Sequence, residues 1–268
     1  MLTFKQFLAE KAAGKKPNYV GVDVEQANAL LNQFCRNALW MLEENRPIYR
    51  GDPDNAPHNA MRKSGFAAVD TTATERASQN TSNWYTVILD SHPNRKDFPL
   101  RSRSFIASMS LNRADNYTGW MKAEEPMIII PSDDAKIGLV GRDDMWDTVI
   151  TLFGERRDIE GFNSLFSKMA GKKASMSALE DFQKLLVSGD RSALTRFKNA
   201  FYLSEEEAKH FAPIFLQEIR KAYSAESTEH RAVTTATMPH KYVGEVWVGG
   251  KVVLISASMW NKLREAIE

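Results

Sequence analysis

Three separated segments of the sequence carry side chains that could take part in chemistry. The first is Tyr49-Arg50-Gly51, where an arginine stands at the end of a predicted strand. The second runs from residue 104 to 110 and contains Ser104, Ser108 and Ser110. The third runs from residue 242 to 248 and contains Glu245. An arginine fork can hold a phosphate through two parallel hydrogen bonds, and a carboxylate can accept a hydrogen bond from a sugar hydroxyl.

Glu245 stands out because the strand around it is otherwise filled with Val and Trp. Glutamate is disfavoured in strands and is rarely buried without a partner. If Val246 and Val248 point to the core, Glu245 and Trp247 share the opposite face. That face either meets solvent or lines a cleft, and the segment by itself allows both.

The elements around these segments predict an α+β protein. Asp23 and Gln26 form a capping box before a helix of about twenty residues, and a short strand ends at Arg50. Residues 54–82 are polar and predict a loop, and residues 84–89 fit either a helix or a strand. Strands are predicted at 102–110, 127–130 and 137–140.

The second half of the chain begins with a helical pattern. Apolar residues recur at three- and four-residue spacing over residues 145–223, and Ser204 with Glu207 forms a second capping box. Residues 224–241 predict a loop, and 242–248 and 251–255 predict a hairpin joined by Gly249-Gly250. A helix at 259–267 closes the chain, and a short amphipathic helix is predicted at 3–12. This order is not a regular alternation of strand and helix, so a doubly wound sheet is not expected.

Taken in this order, the three segments resemble the mono-ADP-ribosyltransferase family of the Arg-Ser-Glu type, and look most like its bacterial and bacteriophage branches. The resemblance covers roughly residues 45–130 and 225–256. It implies a mixed β core with an N-terminal helix. The whole chain, 1–268, would form one such domain, and 145–223 would be a helical insertion or subdomain within it.

The resemblance also implies an activity. The protein would cleave nicotinamide from NAD, its co-substrate, and transfer ADP-ribose to a protein or nucleic acid; with water as acceptor it would be an NAD glycohydrolase. Glu245 would bind the ribose 2′-hydroxyl as positive charge develops on the sugar, as in glycoside hydrolysis. Arg50 would hold the diphosphate, and Ser108 would position the ribose or orient Glu245. The residues implied to bind NAD are Tyr49, Arg50, Gly51, Phe105, Ser108, Ser110 and Tyr117.

Two departures from the family pattern affect details of the site. The family aromatic stands two residues before the first serine of its Ser-x-Ser pair, whereas Phe105 is three before Ser108. The choice among Ser104, Ser108 and Ser110 therefore stays open. Many arginine-modifying members carry Glu or Gln two residues before the catalytic glutamate, where this chain has Val243. Arginine is therefore not a favoured acceptor.

Composition limits the other possibilities. The chain has 35 Lys and Arg against 34 Asp and Glu, so its net charge of +1 does not by itself argue for a nucleic-acid or membrane partner. The single Cys35 can form no internal disulfide, and no motif of a zinc site, a nucleotide-binding glycine loop or a serine-hydrolase elbow occurs. No metal is expected. The protein is expected to be cytoplasmic, and to lie in the host cytoplasm if a bacteriophage encodes it.

Two alternatives to the enzyme remain open. One is a non-catalytic nucleic-acid-binding protein that uses the basic residues between Arg95 and Arg103. The other is a structural or assembly protein that docks through residues 145–223, and either could be of bacteriophage type.

Overall fold

The computed structural model describes residues 18–51, 56–75, 84–116, 125–141, 194–195, 198–199 and 202–261. The chain divides into two compact units. The first comprises the described residues of Met1–Glu75, Asp97–Leu139 and Ala232–Glu268, and the second those of Arg76–Lys96 and Val140–Arg231. Most of the predicted insertion, 145–223, lies outside the described residues, as do the predicted helix at 3–12 and Tyr117.

Within the described residues, nine strands form one sheet: β1 (Val20–Val22), β2 (Ile48–Arg50), β3 (Phe66–Asp70), β4 (Phe105–Ser108), β5 (Met127–Pro131), β6 (Lys136–Leu139), β7 (Arg231–Val233), β8 (Glu245–Gly249) and β9 (Lys251–Ser256). Their order in the sheet is β1-β3-β9-β5-β2-β4-β8-β6-β7. From β1 to β6 along this order, each neighbouring pair is antiparallel. With its flanking helices the sheet confirms the α+β prediction in general terms.

The two faces of the sheet belong to different hydrophobic clusters, because successive side chains of a strand point to opposite sides. Face A carries Ile128 of β5 and packs against the helices α1 (Val24–Phe34) and α2 (Arg36–Glu43). Face B carries Ile129 of β5 together with apolar side chains of β2, β4, β8 and β9. The central strands are therefore covered on both sides.

The long helix predicted after Asp23 is two helices that meet at Cys35. The capping box of Asp23 and Gln26 is present as predicted. At the break, Asp133 from a turn distant in sequence forms hydrogen bonds with residues on both sides of Cys35. Its backbone N–H donates to the carbonyl of Phe34 at 2.6 Å, and its carboxylate accepts the backbone N–H of Asn37 at 2.9 Å. A carboxylate from elsewhere in the fold therefore caps α2.

Two segments predicted as loops contain regular structure. Residues 54–82 include the helix α3 (Ala56–Met61) and the strand β3. Four of the five β3 residues are buried, so the strand lacks the alternation that identifies a half-exposed strand. Residues 224–241 include β7 and a short helix at Ala225–Thr228. The loop predictions were wrong because these elements are too short for a periodic pattern.

Several local predictions are confirmed. Residues Trp84–Ser91 form a helix, which decides between the two alternatives for that segment. Ser204 and Glu207 form their capping box, with Ser204 Oγ accepting the backbone N–H of Glu207 at 3.2 Å. It precedes the helix Glu205–Ala222. The β8–β9 hairpin turns at Gly250, whose φ of 131° favours glycine.

Candidate active site

Three of the predicted site residues form one row across adjacent strands. Tyr49 of β2 lies opposite Ser108 of β4, and Ser108 lies opposite Glu245 of β8. Residues directly opposite each other in antiparallel strands carry their side chains on the same face, with Cβ atoms about 5 Å apart. The row lies on face A, because Tyr49 is also opposite Ile128. Segments far apart in sequence thus place a phenol, a hydroxyl and a carboxylate side by side.

The three candidate serines occupy different positions. Ser108 is buried in β4, and its Oγ accepts the backbone N–H of Ser110 at 3.0 Å. Ser110 lies beyond the end of the strand and is half-buried. Ser104 precedes the strand and donates its hydroxyl to the carbonyl of Leu100 at 2.6 Å. Of the three, Ser108 is the residue in register with Glu245.

Arg50 leaves the sheet on the other side from this row. Alternation along β2 puts its side chain on face B, with Ile48 and opposite Met127. The guanidinium carbon lies 4.4 Å from the centroid of the Phe105 ring, and Nη1 donates to the carbonyl of Ile106 at 2.8 Å. Arg50 and Phe105 are therefore brought together with each other, but on the face opposite Ser108 and Glu245.

The other residues predicted to bind NAD, which include Gly51, Phe105 and Tyr117, differ in their surroundings. Phe105 is buried and stacks on Tyr19, with ring centroids 6.2 Å apart, so it is a core residue. Gly51 directly follows β2 and is buried, and Tyr49 is half-buried. Tyr117 lies outside the described residues.

Glu245 is buried, so its face of β8 does not meet solvent. The residue is 4% exposed, and its Oε1 lies 2.6 Å from Nη1 of Arg101. The same oxygen accepts the indole N–H of Trp247 at 3.0 Å. The Arg101 guanidinium lies 5.0 Å from the centroid of the Trp247 ring. The carboxylate thus belongs to a buried, charge-assisted cluster, in which hydrogen bonds are stronger than in water.

Residues 98–104, here called the covering segment, close face A over β8. The Phe98 ring packs against Trp247 with centroids 6.2 Å apart, and Pro99 approaches Gly249 so closely that an added Cβ there would lie 2.5 Å from Pro99 Cβ. From beneath, Gly138 of β6 leaves room for Trp247, since a Cβ at Gly138 would lie 2.6 Å from Cε3 of that ring. The indole is therefore fixed between the covering segment and the sheet.

Arg101 is the site residue that sequence reasoning missed as a partner of Glu245. In the sequence Arg101 is one of several basic residues between Arg95 and Arg103, and the spacing of these residues does not distinguish Arg101 from the others. The available signal was indirect: a glutamate in an apolar strand requires a cation if it is buried.

The basic run does not present a continuous charged surface. Arg95 and Arg101 are each about as buried as core leucines, at 5% and 4% exposure, whereas Lys96 and Arg103 are exposed. Within the second unit, Arg95 donates from Nε to the carbonyl of Tyr223 at 3.0 Å and from Nη2 to Thr228 Oγ1 at 2.6 Å. Burial lowers the pKa of Arg95 to about 10. This guanidinium stabilises its own unit and is not available to a phosphate.

Two further observations concern the described part of the chain. It contains no cluster of three or more His, Cys, Asp or Glu side chains arranged to hold a metal ion. None of its helices combines the length and the apolar character that a bilayer crossing needs.

Comparisons with known proteins identify no relative. No protein-family model, no curated protein sequence and no solved structure matches this chain. The case for a function therefore depends on the residues and their geometry.

Proposed function

We propose that this protein is an NAD-dependent ADP-ribosyltransferase that releases nicotinamide and transfers ADP-ribose to a macromolecular acceptor, a protein or a nucleic acid. The observation that supports it most is the row of Tyr49, Ser108 and Glu245 on face A. The motifs that suggested this activity lie in three separate segments of the chain, and the strand register sets Ser108 directly opposite Glu245.

The chemistry assigned to Glu245 follows from the charge that develops on the sugar. The bond between ribose C1′ and the nicotinamide nitrogen breaks, and its electron pair leaves with nicotinamide. The acceptor then forms a bond to C1′ and loses a proton; with water the product is free ADP-ribose. The ring passes through an oxocarbenium-like state, so a hydrogen bond from the 2′-hydroxyl to a carboxylate strengthens as the bond breaks. Ser108, opposite Glu245, would orient the ribose.

Arg50 is assigned to the NAD diphosphate. Its guanidinium carbon lies 4.4 Å from the centroid of the Phe105 ring, and a planar fork of donors suits a phosphate. Because Arg50 leaves from face B and Glu245 from face A, the assignment requires the diphosphate to cross the end of β2. Arg50→Ala should then weaken NAD binding measured by calorimetry, and unchanged affinity would remove Arg50 from the site.

Nicotinamide release from NAD by the wild type and by Glu245→Gln tests the activity. The substitution removes the charge and keeps the shape, so turnover should fall to a low residual rate while folding and NAD binding are largely kept. Glu25→Gln, at an exposed carboxylate in the first turn of α1, is the matched control and should release nicotinamide at the wild-type rate. Labelled ADP-ribose followed into the protein, DNA and RNA fractions of a bacterial lysate identifies the acceptor. Release unaffected by Glu245→Gln, or no release with or without lysate, would refute the proposal.

The alternative of nucleic-acid binding through residues 95–103 has less support. Phosphate contacts require accessible cations, and two of the arginines in that run are buried. Steeply salt-dependent nucleic-acid binding without NAD turnover would nevertheless favour it over the proposed enzyme.

A further inference from the structure

We infer that Arg101 and Trp247 position Glu245 for the cleavage step. This inference rests on the proposed function. Arg101 lies outside the three segments that suggested the activity, Trp247 had no role assigned to it within the third, and neither is proposed to touch NAD.

The argument begins with the two donors on one oxygen. Arg101 Nη1 and Trp247 Nε1 both meet Glu245 Oε1, at 2.6 Å and 3.0 Å. Two donors from different residues define both the position of that oxygen and the rotation of the carboxylate about its Cγ–Cδ bond. The direction of the second carboxylate oxygen, Oε2, is then defined as well. A side chain that must accept a hydrogen bond from one ribose hydroxyl benefits from such preorganisation.

The donors are themselves held rigidly. The Trp247 ring is 1% exposed and lies between Phe98 and Gly138. The Arg101 guanidinium lies over that ring, and its side chain is 5% exposed. Surface ion pairs lose much of their effect to screening by water, and this pair is shielded from water by its burial. A network of this kind keeps one geometry because each member restricts the others.

The chain offers a matched control for each positioning residue. Arg103 lies two residues after Arg101 in the same short 3-10 helix but is exposed. Trp40 lies on α2 and is 45% exposed, so its indole can be changed without disturbing the core. Effects confined to Arg101 and Trp247 would therefore depend on their contacts with Glu245 rather than on residue type.

The experiment measures kcat and KM for nicotinamide release in Trp247→Phe, Arg101→Lys and Arg101→Met. Trp247→Phe keeps an aromatic ring and loses one N–H donor, so kcat should fall about tenfold, with KM for NAD unchanged within about twofold. Arg101→Lys keeps the cation with poorer geometry and should retain more activity than Arg101→Met, which should lose about a hundredfold in kcat. Arg103→Met and Trp40→Phe should match the wild type. Each variant is assayed well below its own melting temperature.

A second measurement separates positioning from a general structural role. If Arg101 acts through the carboxylate, Arg101→Met should cause no further loss of residual release in the Glu245→Gln background. Equal losses in both backgrounds, or a normal kcat in Trp247→Phe and Arg101→Lys, would overturn the inference while Glu245-dependent release preserved the proposed function. A kcat above that of the wild type in Arg101→Lys would also overturn the inference, because the ion pair would then hold the carboxylate in an unproductive position. Release by the wild type that equals that of Glu245→Gln would refute the proposed function itself.

Discussion

The stability of the first unit should be sensitive to substitution of either partner in the buried pair of Arg101 and Glu245, whether or not the protein is an enzyme. Both side chains are 5% exposed and their charged atoms are 2.6 Å apart. Removing one partner of such a pair costs about 3–5 kcal/mol, because the other charge stays buried without its counter-ion. We therefore expect Glu245→Ala to lower the free energy of unfolding by that amount.

The smaller change Glu245→Gln should cost less, and the difference can be worked out from the contacts. The amide oxygen of Gln can still accept from Arg101 Nη1 and Trp247 Nε1, the two donors that Oε1 now receives. Hydrogen bonds to a charged acceptor are roughly twice as strong as neutral ones, so the expected loss is about 1–2 kcal/mol. In the double variant Arg101→Met with Glu245→Ala no charge is left buried. The two substitutions should therefore couple favourably by about 2–3 kcal/mol.

Equilibrium unfolding in urea, followed by circular dichroism and tryptophan fluorescence, measures these values. The exposed pair of Lys209 and Glu205 is the control, since its atoms are 2.7 Å apart but the side chains are 61% and 68% exposed. Substituting either residue there should produce no measurable coupling, because water screens the pair. A loss below about 1 kcal/mol for Glu245→Ala, or a coupling no larger than that of the exposed pair, would contradict the argument from burial.

Three further predictions concern other buried groups. Burial lowers the pKa of His92, whose Nδ1 accepts the backbone N–H of Asn94 at 3.1 Å, so the unfolded chain binds a proton more readily than the folded one. The stability contributed by His92 should be complete above its ordinary pKa of 6.5 and lost as the pH falls through the folded-state pKa, and His92→Gln should flatten this dependence in urea titrations. Burial raises the pKa of the Cys35 thiol to about 12, so a disulfide reagent at pH about 8 should label it at the rate of unfolding; rapid labelling of the native protein would disprove this. Gly138→Ala would place a Cβ 2.6 Å from Cε3 of Trp247, so it should destabilise the protein by about 1–3 kcal/mol and alter the fluorescence, and an unchanged unfolding midpoint would contradict the packing.

Features specified by near neighbours in the chain were predictable. The capping boxes at Asp23 and Ser204 are contacts between residues three apart. The β8–β9 hairpin follows from two glycines between apolar runs, and β5 from an unbroken run of apolar residues. In each case the physical cause lies within about four residues, which is the range over which turns, caps and periodicity operate.

Arg50, Ser108 and Glu245 could be singled out from the sequence, but neither their arrangement nor the pairing of Arg101 with Glu245 could be predicted. The strand signals at Arg50, Ser108 and Glu245 were visible, whereas their register depends on pairing between distant segments. Alternation then separates Arg50 from the other two, since its neighbour Tyr49, one position earlier, faces the row. A shift of one residue would exchange the faces, so a sequence pattern without register cannot decide which side chains meet.

What the sequence by itself determined is the elements with strong local signals, such as the capped helices and the β8–β9 hairpin, and the presence of a carboxylate in an apolar strand. What the tertiary structure decided is how that carboxylate is accommodated: Arg101, 144 residues away, pairs with it beneath the covering segment. The helix break at Cys35 has the same origin, because the capping carboxylate of Asp133 lies 96 residues from the N–H of Asn37 that it accepts. The physical reason is that local propensities act over a few residues, whereas burial, ion pairing and register depend on the parts of the chain that folding brings together.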